Sequence, residues 1–387
     1  MPAPVPQASA GAGRLARWRE AERILVVRLD KLGDVLMTTP AIAAVRETNP
    51  SASITLLTSR CGAKLAPHLP FVDECIAFDA PWVRHEATAD DTSGGTSTAA
   101  EWRLLQRLSD GCFDAAIVFT SCTQSALPAA LLCRQAGIPL RLAHCRENPY
   151  RLLSDWLADP DVIGDGMRHE VERQLALVDS VGFVTADSRL RFRVRAEDRQ
   201  QAADALARAG IAAGQPYFVV HPGASSASRR YPPDRFGRAA ASLHRITGVP
   251  AVFTGSAEEE GTVHAARRAM GTASISLAGE LGLGGLGALV DGADLLLTNN
   301  TGPAHIAAAL GTPVVDLYAL THPQQTPWRV PARVVSHAVD CRHCLKSVCP
   351  QQHHACLHRV DTGRVVGAAL ELLAERARSP AKVACPG

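Results

Sequence analysis

The stretch RILVVRLDKLGDVLMTTPAIAAVR, residues 23–46, joins two kinds of hydrophobic pattern. Residues 23–29 form a short β-branched and apolar run, which is typical of a buried strand. The turn Asp30-Lys31-Leu32-Gly33 follows, and a helical pattern then runs from Val35 to about Arg46. Strand, loop and helix in this order predict the first unit of a parallel α/β sheet.

The same alternation recurs in both halves of the chain and restarts after residue 210. Strands are predicted at 54–57, 115–119, 217–221, 250–254, 295–298 and 314–318, and helices at 101–108, 232–247 and 303–310. The pattern therefore predicts an α/β fold with two doubly wound, Rossmann-like domains facing one another across a cleft. Ligands of such sheets bind beyond the carboxyl ends of the strands.

Length and composition restrict the class of protein. A chain of 387 residues exceeds the size of one hydrophobic core, and 47% hydrophobic with 20% charged residues is ordinary globular composition. The net charge of +2 gives no indication of nucleic-acid binding, and no apolar stretch reaches the ~20 residues of a membrane-spanning helix. The first 20 residues lack the apolar core of a secretory signal and predict a disordered leader on a cytoplasmic protein.

Domain boundaries follow from these patterns. We expect a leader at 1–20, a first domain at 21–185, a second at 186–360, and a C-terminal helix and tail at 361–387, with the helix crossing both lobes. Residues 87–100, rich in Thr, Ser and Gly, predict a flexible surface loop. GLGGLG at 282–287 matches G-x-G-x-x-G, but no acidic residue follows about 20 positions later, so we interpret it as a flexible turn before a helix around 286–290.

TNNTGPAHIAAALGTPVV, residues 298–315, has the signals of a helix with both ends marked. Asn300 or Thr301 can cap the helix, Pro303 suits its first turn, and Gly311 can end it. Free N–H groups at such an N-terminus suit a pyrophosphate, and His305 can add a donor. The alternative is a well-capped core helix with a surface histidine, which the spacing supports equally.

VVHPGASSASRRYPPDRF, residues 219–236, predicts a phosphate-binding loop after a strand. Gly223 allows close approach of the backbone, Ser225 offers a hydroxyl, and Arg229 and Arg230 supply positive charge. A polar loop with solvated arginines is the alternative, and the spacing by itself favours it.

Asp34 follows the turn after the first strand. A carboxylate there can take a proton from an acceptor hydroxyl. It is also a good N-cap for a helix beginning at Val35, and the pattern alone favours the cap.

These motifs together resemble glycosyltransferase family 9, the ADP-heptose heptosyltransferases, which are two-domain enzymes of the GT-B type. The resemblance covers roughly residues 23–360 and includes MRHEVERQLALVDSVG at 167–182 and SLAGELGLGGLGALVDGADLLLT at 276–298. It implies inverting transfer of heptose from ADP-heptose to a lipopolysaccharide inner-core acceptor, with no metal needed for catalysis. It leaves open a protein acceptor, as in autotransporter heptosylation, a catalytically silent scaffold, peripheral contact with the inner face of the inner membrane, and a homo-oligomer.

The resemblance also implies the site residues. Asp34 is the general base, and Arg229 stands where the family usually has Lys. Asn300 stands where the family usually has Asp, and Glu258 holds an acidic position that neighbouring Glu260 makes ambiguous. The implied donor-binding residues are Gly223, Ser225, Arg229, Arg230, Glu258, Asn300, Thr301, Gly302 and His305.

CRHCLKSVCPQQHHAC, residues 341–356, contains four of the eleven cysteines: Cys341, Cys344, Cys349 and Cys356. This spacing can surround one tetrahedral structural zinc or iron ion, and His343, His353, His354 or His358 can replace a sulfur. Reduced thiols or two disulfides are the alternatives. Because the donor loops lie on other segments, we expect loss of this cluster to spare ADP binding.

Overall fold

The computed structural model describes residues 12–83, 98–162, 164, 166–271, 274–319, 321 and 323–378. Most of the predicted loop at 87–100 lies outside the described residues, and its last three residues begin a helix. The chain divides into two compact units, Met1–Val162 with Arg168–Ser188, and Ile163–Met167 with Arg189–Gly387. Among the described helices, none has the length and apolarity needed to cross a membrane.

The first unit is built on a six-stranded parallel sheet. Its strands are β1 (Arg23–Arg28), β2 (Ser53–Thr58), β3 (Glu74–Ala77), β4 (Ala115–Val118), β5 (Leu140–Cys145) and β6 (Asp155–Ala158). Its helices are α1 (Ala12–Arg19), α2 (Leu32–Thr48), α3 (Arg60–Ala63), α4 (Thr98–Asp110), α5 (Leu127–Gln135) and α6 (Glu170–Asp179). The strand order β3-β2-β1-β4-β5-β6 is that of a doubly wound sheet, with β1 and β4 at its centre.

Helix α2 begins earlier than the sequence pattern predicts. Lys31 occupies the N-cap position and Leu32 is the first helical residue. Pro40 lies inside the helix, where its missing N–H leaves the carbonyl of Leu36 without its usual donor. The Thr39 hydroxyl donates to that carbonyl at 2.6 Å. The motif TTP thus keeps the helix continuous.

Part of the predicted disordered leader is ordered, so that prediction is wrong for the end of the segment. Helix α1 buries Trp18 completely, and its ring meets that of Phe183 edge-on at 6.2 Å. Arg14 pairs with Asp155. Composition could not reveal this order, because burial of a single large aromatic side chain offsets the loss of chain entropy. Residues 1–11 lie outside the described residues.

The second unit repeats the architecture with the strand order β12-β11-β10-β7-β8-β9, again parallel. Its strands are β7 (Phe218–His221), β8 (Ala251–Phe253), β9 (Ile275–Ser276), β10 (Leu296–Asn299), β11 (Val314–Leu317) and β12 (Ala332–Val335). Its helices are α7 (Ala196–Arg208), α8 (Pro233–Thr247), α9 (Glu260–Met270), α10 (Leu283–Gly292), α11 (Gly302–Leu310), α12 (Ala355–His358) and α13 (Thr362–Arg378).

The glycines of GLGGLG form a helix rather than the predicted flexible turn. Gly282 is the N-cap of α10, and the following glycines lie within the helix. A Cβ at Gly284 or Gly287 would overlap the side chain of Asp198 or Phe192. These glycines therefore allow the close packing of α10 against α7 and the segment before it.

Helix α13 belongs to the core of the second unit. It packs on α8 and against β11 and β12, and it buries Val365, Ala369 and Leu372. The apolar face of α13 is therefore buried in the core of the second unit.

Candidate active site

Asp34 lies in the first turn of α2, where two groups fix its carboxylate. Its Oδ1 is 3.3 Å from Nη2 of Arg28, and its Oδ2 accepts a hydrogen bond from the Lys31 backbone N–H at 3.3 Å. The side chain remains 21% exposed. The predicted N-cap role is wrong in its details, because Lys31 is the N-cap and Asp34 is the third helical residue. The carboxylate is oriented and accessible, as a general base requires.

Arg28 is fully buried at the end of β1 and carries three carboxylate partners. Its guanidinium nitrogens lie 2.9 Å from Asp30 and 3.0 Å from Glu170, besides Asp34. Burial alone would lower the pKa of Arg28, but the three carboxylates outweigh it and raise that pKa above its usual value. Sequence reasoning missed this centre, although a charged residue ending the apolar run at 24–27 was a visible signal.

A pocket of about 240 Å³ opens at the carboxyl ends of β1 and β4. Its lining includes the aromatic rings of Trp82 and Phe119 and the polar groups of Asp30 and Gln124. The Gln124 amide donates to Oδ1 of Asp30 at 2.5 Å. Aromatic faces beside carboxylate and amide groups suit a sugar, which has apolar faces and hydroxyl edges. The pocket and Asp34 belong to the same unit.

In the second unit, the loop after β7 contacts the end of β10, its neighbour in the sheet. The Asn299 side chain donates to the carbonyl of Pro222 at 2.8 Å and accepts the backbone N–H of Tyr231 at 2.9 Å. Gly223 is buried, and a Cβ there would overlap the carboxylate of Glu259. The structure thus brings the predicted phosphate loop to the same sheet edge as the start of α11.

The two predicted arginines differ in environment. Arg230 donates to the carbonyls of Ala224 at 2.7 Å and Ser225 at 3.3 Å, so it braces the loop. Arg229 is half-buried, and within the described part of the chain its Nε has no hydrogen-bond partner. Asp316 lies nearby at 1% exposure, where burial raises its pKa to about 8 against the opposing charge of Arg229. Arg229 is therefore the better candidate for an anionic ligand.

The Glu259 carboxylate lies against Gly223, whereas Glu258, the residue predicted to bind the donor, is exposed, and its donor-binding role stays a prediction. Nε2 of His221 is 3.7 Å from the Glu259 carboxylate, and its Nδ1 is 3.0 Å from the Thr254 hydroxyl. Burial lowers the pKa of His221, which Glu259 opposes. Sequence could not separate three consecutive glutamates, because only the turn geometry decides which one faces the loop.

Helix α11 begins as predicted. Thr301 is the N-cap, Gly302 is the first residue, Pro303 is in the first turn, and Gly311 ends the helix with a φ of 72°. His305 is only 5% exposed, so the alternative of a surface histidine is wrong. Asn300 is buried and its amide donates to the Thr321 hydroxyl. The positive end of α11 and the Gly223 loop lie at one edge of the sheet, which we call the anion-binding edge for the role predicted for its free N–H groups.

Residues 101–355 match glycosyltransferase family 9 (heptosyltransferase). The chain belongs to that family. It is 27% identical over 306 residues to lipopolysaccharide heptosyltransferase 3 of Escherichia coli K12, covering 76% of this chain and 82% of that one. The predicted family and its enzyme class, glycosyltransferase, are therefore confirmed.

Two solved structures show the fold of this family 9 glycosyltransferase. A family 9 glycosyl transferase from Veillonella parvula has a TM-score of 0.72 at 23% identity, covering 92% of this chain and 97% of that chain. The Escherichia coli ADP-heptose lipopolysaccharide heptosyltransferase II has a TM-score of 0.68 at 22% identity, covering 92% and 99%. This chain has two parallel six-stranded sheets, and together with the two matches they confirm the predicted α/β, GT-B fold class.

The cysteine cluster of this glycosyltransferase carries free thiols. Every described cysteine is unpaired, so the alternative of two disulfides is not what the structure contains. Burial raises the pKa of Cys356, and the charges of the other three cysteines add to that rise. Among the described side chains, no group of three or more His, Cys, Asp or Glu has an arrangement that could hold a metal ion. The metal site stays a prediction.

Proposed function

We propose that this family 9 enzyme transfers heptose from ADP-heptose to a hydroxyl group of the lipopolysaccharide inner core, with inversion at the anomeric carbon. The observation that carries the proposal is the anion-binding edge of the second unit, where Asn299 ties the Gly223 loop to the strand that precedes α11. Such an edge suits the diphosphate of a sugar nucleotide. The relatives named for lipopolysaccharide heptosyl transfer support this choice of donor and acceptor.

The second unit supplies the leaving-group half of the reaction. Backbone N–H groups at the start of α11, the Gly223 loop and the guanidinium of Arg229 would bind the ADP diphosphate. When the bond between the anomeric carbon and the phosphate oxygen breaks, negative charge grows on that oxygen. Fixed donors and a fixed cation stabilise this charge without reorganising, so no divalent cation is required.

The first unit supplies the acceptor half. Asp34 would take the proton of the attacking hydroxyl as its oxygen bonds to the anomeric carbon, and the proton stays on the carboxyl group until it exchanges with water. Arg28 and the Lys31 N–H hold the carboxylate in place. Orientation of a base in this way contributes substantially to rate.

We infer that the pocket beside Asp30 binds a sugar of the acceptor, since the exposed ring of Trp82 offers an apolar face and Gln124 offers an amide. A protein side chain is the other acceptor class, and the names of the relatives favour the saccharide. Transfer to a panel of core oligosaccharides and to a Ser- and Thr-rich protein would decide between them. Transfer to the protein alone would contradict the saccharide assignment.

Donor identity is tested by a thermal-shift screen of sugar nucleotides. A donor that binds only the folded protein stabilises it by RT ln(1 + c/Kd), where c is the free donor concentration, so at equal concentration a tighter-binding donor gives a larger rise in melting temperature. ADP-heptose and ADP should give a larger rise than UDP- or GDP-sugars. A larger rise with a UDP- or GDP-sugar would contradict the donor assignment.

We also propose that the enzyme acts in the cytoplasm at the inner face of the inner membrane, where it makes peripheral contact with its lipid-linked acceptor. Cell fractionation at low and high salt tests this location. A homo-oligomer stays a prediction, and size-exclusion chromatography with light scattering tests it.

A structural zinc or iron ion at the cysteine cluster is a separate proposal. Its support is that three neighbouring sulfurs lie close enough to Cys356 to raise the pKa of its thiol. The described side chains do not form a metal-binding group. Elemental analysis should find about one zinc or iron ion per chain. Metal-free protein with four alkylatable thiols would contradict the proposal.

A further inference from the structure

The cysteine segment, residues 341–356, contacts the predicted donor loop through Ser228. This serine precedes Arg229 and is only 4% exposed. Its hydroxyl lies 2.6 Å from the carbonyl oxygen of Lys346 and 2.8 Å from that of Ser347, and its N–H donates to Ser347 at 3.2 Å. The residue next to the candidate phosphate ligand is therefore bonded to the middle of the cysteine segment.

A second contact joins the cysteine segment to the start of α11. Nδ1 of His343 is 3.0 Å from the carbonyl oxygen of Thr321, so this nitrogen carries the proton and donates. The hydroxyl of Thr321 in turn accepts from the amide of Asn300, which lies just before the N-cap of α11. Both loops of the anion-binding edge thus have a hydrogen-bonded connection to the same segment.

The backbone between these contacts is held in an uncommon conformation. His343 and Leu345 have positive φ angles of 63° and 54°, in the left-handed region that non-glycine residues seldom adopt. Such residues keep this conformation only when surrounding contacts fix it. The hydrogen bond of His343 lies before Leu345 in the segment, and the hydrogen bonds that Ser228 makes to Lys346 and Ser347 lie after it. These contacts can fix the left-handed conformation.

We propose that Ser228 and His343 are positioning residues, through which the cysteine segment sets the placement of Arg229 and of the first turn of α11 for the donor diphosphate. This inference rests on the proposed function. It predicts the opposite of the sequence-based expectation that loss of the cysteine cluster spares ADP binding. The sequence could not show the connection, because Ser228 and Ser347 are 119 positions apart.

The test compares Ser228→Ala with Ser347→Ala in the full chain. Ser228→Ala removes the hydroxyl donor, and a lost neutral hydrogen bond corresponds to a weakening of ADP binding by about 3- to 10-fold. Ser347→Ala is the matched control, because only the backbone carbonyl of Ser347 takes part. Isothermal titration should show weaker ADP binding for Ser228→Ala alone, and donor KM should rise while acceptor KM is unchanged.

A reciprocal measurement separates positioning from general stability. If the segment supports ADP binding, ADP must in turn stabilise the segment. Bound ADP should therefore slow backbone amide exchange at the cysteines and their neighbours in residues 341–356 of the wild type, a measurement that does not need free thiols, and this protection should be reduced at equal ADP saturation in His343→Gly. Glycine keeps the left-handed backbone of His343, so this variant also serves if Ser228→Ala fails to fold.

The outcomes separate the two claims. Wild-type protein without ADP affinity would overturn the proposed function and this inference with it. Wild-type protein that binds ADP, with unchanged affinity in Ser228→Ala or no ADP protection of the cysteines, would overturn the inference alone.

Discussion

The Asp34 carboxylate contacts Arg28 and the Lys31 N–H and is proposed to be the general base, and Asp34→Asn separates the structural contacts from the chemistry. The amide oxygen of Asn can still accept the Lys31 N–H, but the ion pair with buried Arg28 is lost, so we expect a moderate loss of stability in a fold that Asp30 and Glu170 still hold at Arg28. The Asn amide cannot take a proton from the acceptor, so kcat should fall by about 10²- to 10⁴-fold. Steady-state kinetics beside ADP titration checks this, with ADP affinity unchanged. Retained turnover, or a large loss of stability, would show that Asp34 is chiefly a helix-end residue.

Arg229 is expected to bind the diphosphate directly. Arg229→Ala should weaken ADP binding by about 1.5–3 kcal/mol, the range for hydrogen bonds to charged groups. Arg229→Lys should restore much of the loss, because it keeps the charge. Arg238→Ala is a suitable control, since Arg238 is an exposed arginine of α8 that pairs with Asp234. Equal ADP affinity in titrations of the wild type and Arg229→Ala would remove Arg229 from the site.

Asp316 predicts a pH dependence of stability. Its folded-state pKa is about 8, whereas an unfolded Asp has a pKa of about 3.9. The folded state therefore keeps a proton that the unfolded state has lost, and this contribution to stability is present at low pH and is lost as the pH rises through 8. Asp316→Asn cannot ionise. Urea unfolding at pH 6 and pH 9 should show the variant gaining stability relative to wild type, and a pH-independent difference would contradict the burial argument.

At the residue scale, the sequence predicted the features that depend only on neighbouring residues, such as the ends of a helix. Thr301 and Gly311 mark the helix ends because capping chemistry depends on near neighbours. Glu259 was missed because its role depends on contact with Gly223, which is distant in the sequence. Arg230 was expected at the phosphates, but its hydrogen bonds go to its own loop.

At the scale of elements, the packing of α8 against α9 depends on Gly237. A Cβ there would overlap the backbone carbonyl of Ala266 and press on the backbone of Met270, which cannot move as a side chain can. Gly237→Ala should therefore destabilise the protein by about 1–3 kcal/mol. Gly367→Ala in α13 is the control, because its Cβ meets nothing within 4 Å and should stabilise by about 0.5–1 kcal/mol. Urea unfolding gives the free energy of unfolding of each variant. Equal changes in Gly237→Ala and Gly367→Ala would contradict the packing argument.

Helices α2 and α11 were predicted from sequence almost to their ends. Helix α1 was not predicted, and α10 was predicted only around 286–290, after its glycines. Helix α1 is ordered through the burial of Trp18, and α10 contains glycines that its neighbours require. Local propensity disfavours a helix in the glycine-rich segment of α10, where tertiary packing overrides it, whereas the Ala, Leu and Arg residues of α1 favour one.

At the scale of the whole molecule, each unit has its own buried core around its own sheet. We expect ADP alone to slow amide exchange in the second unit, at the Gly223 loop, the first turn of α11 and the cysteine segment. Amides of β1 and α2 in the first unit should be unaffected, because the acceptor is absent. Hydrogen exchange with mass spectrometry reads both units in one experiment. Protection confined to the first unit would reverse the assignment of donor and acceptor.

The division into two α/β units could be predicted because each strand and helix carries its own hydrophobic period. The acceptor pocket could not, since its rings and polar groups come from separate loops, around Trp82 and around Gln124. The connection between Ser228 and the cysteine segment could not be predicted either, because it also joins residues that are far apart in the sequence.

The central claim is transfer of heptose from ADP-heptose by a reaction that needs Asp34. Purified wild-type protein and Asp34→Asn are incubated with ADP-heptose and a core oligosaccharide that lacks its heptose, and the products are analysed by mass spectrometry. The account predicts that the oligosaccharide gains one heptose and one ADP is released with the wild type, and that the variant binds ADP-heptose but transfers none. An unchanged oligosaccharide with the wild type, while a UDP- or GDP-sugar is transferred, would contradict it.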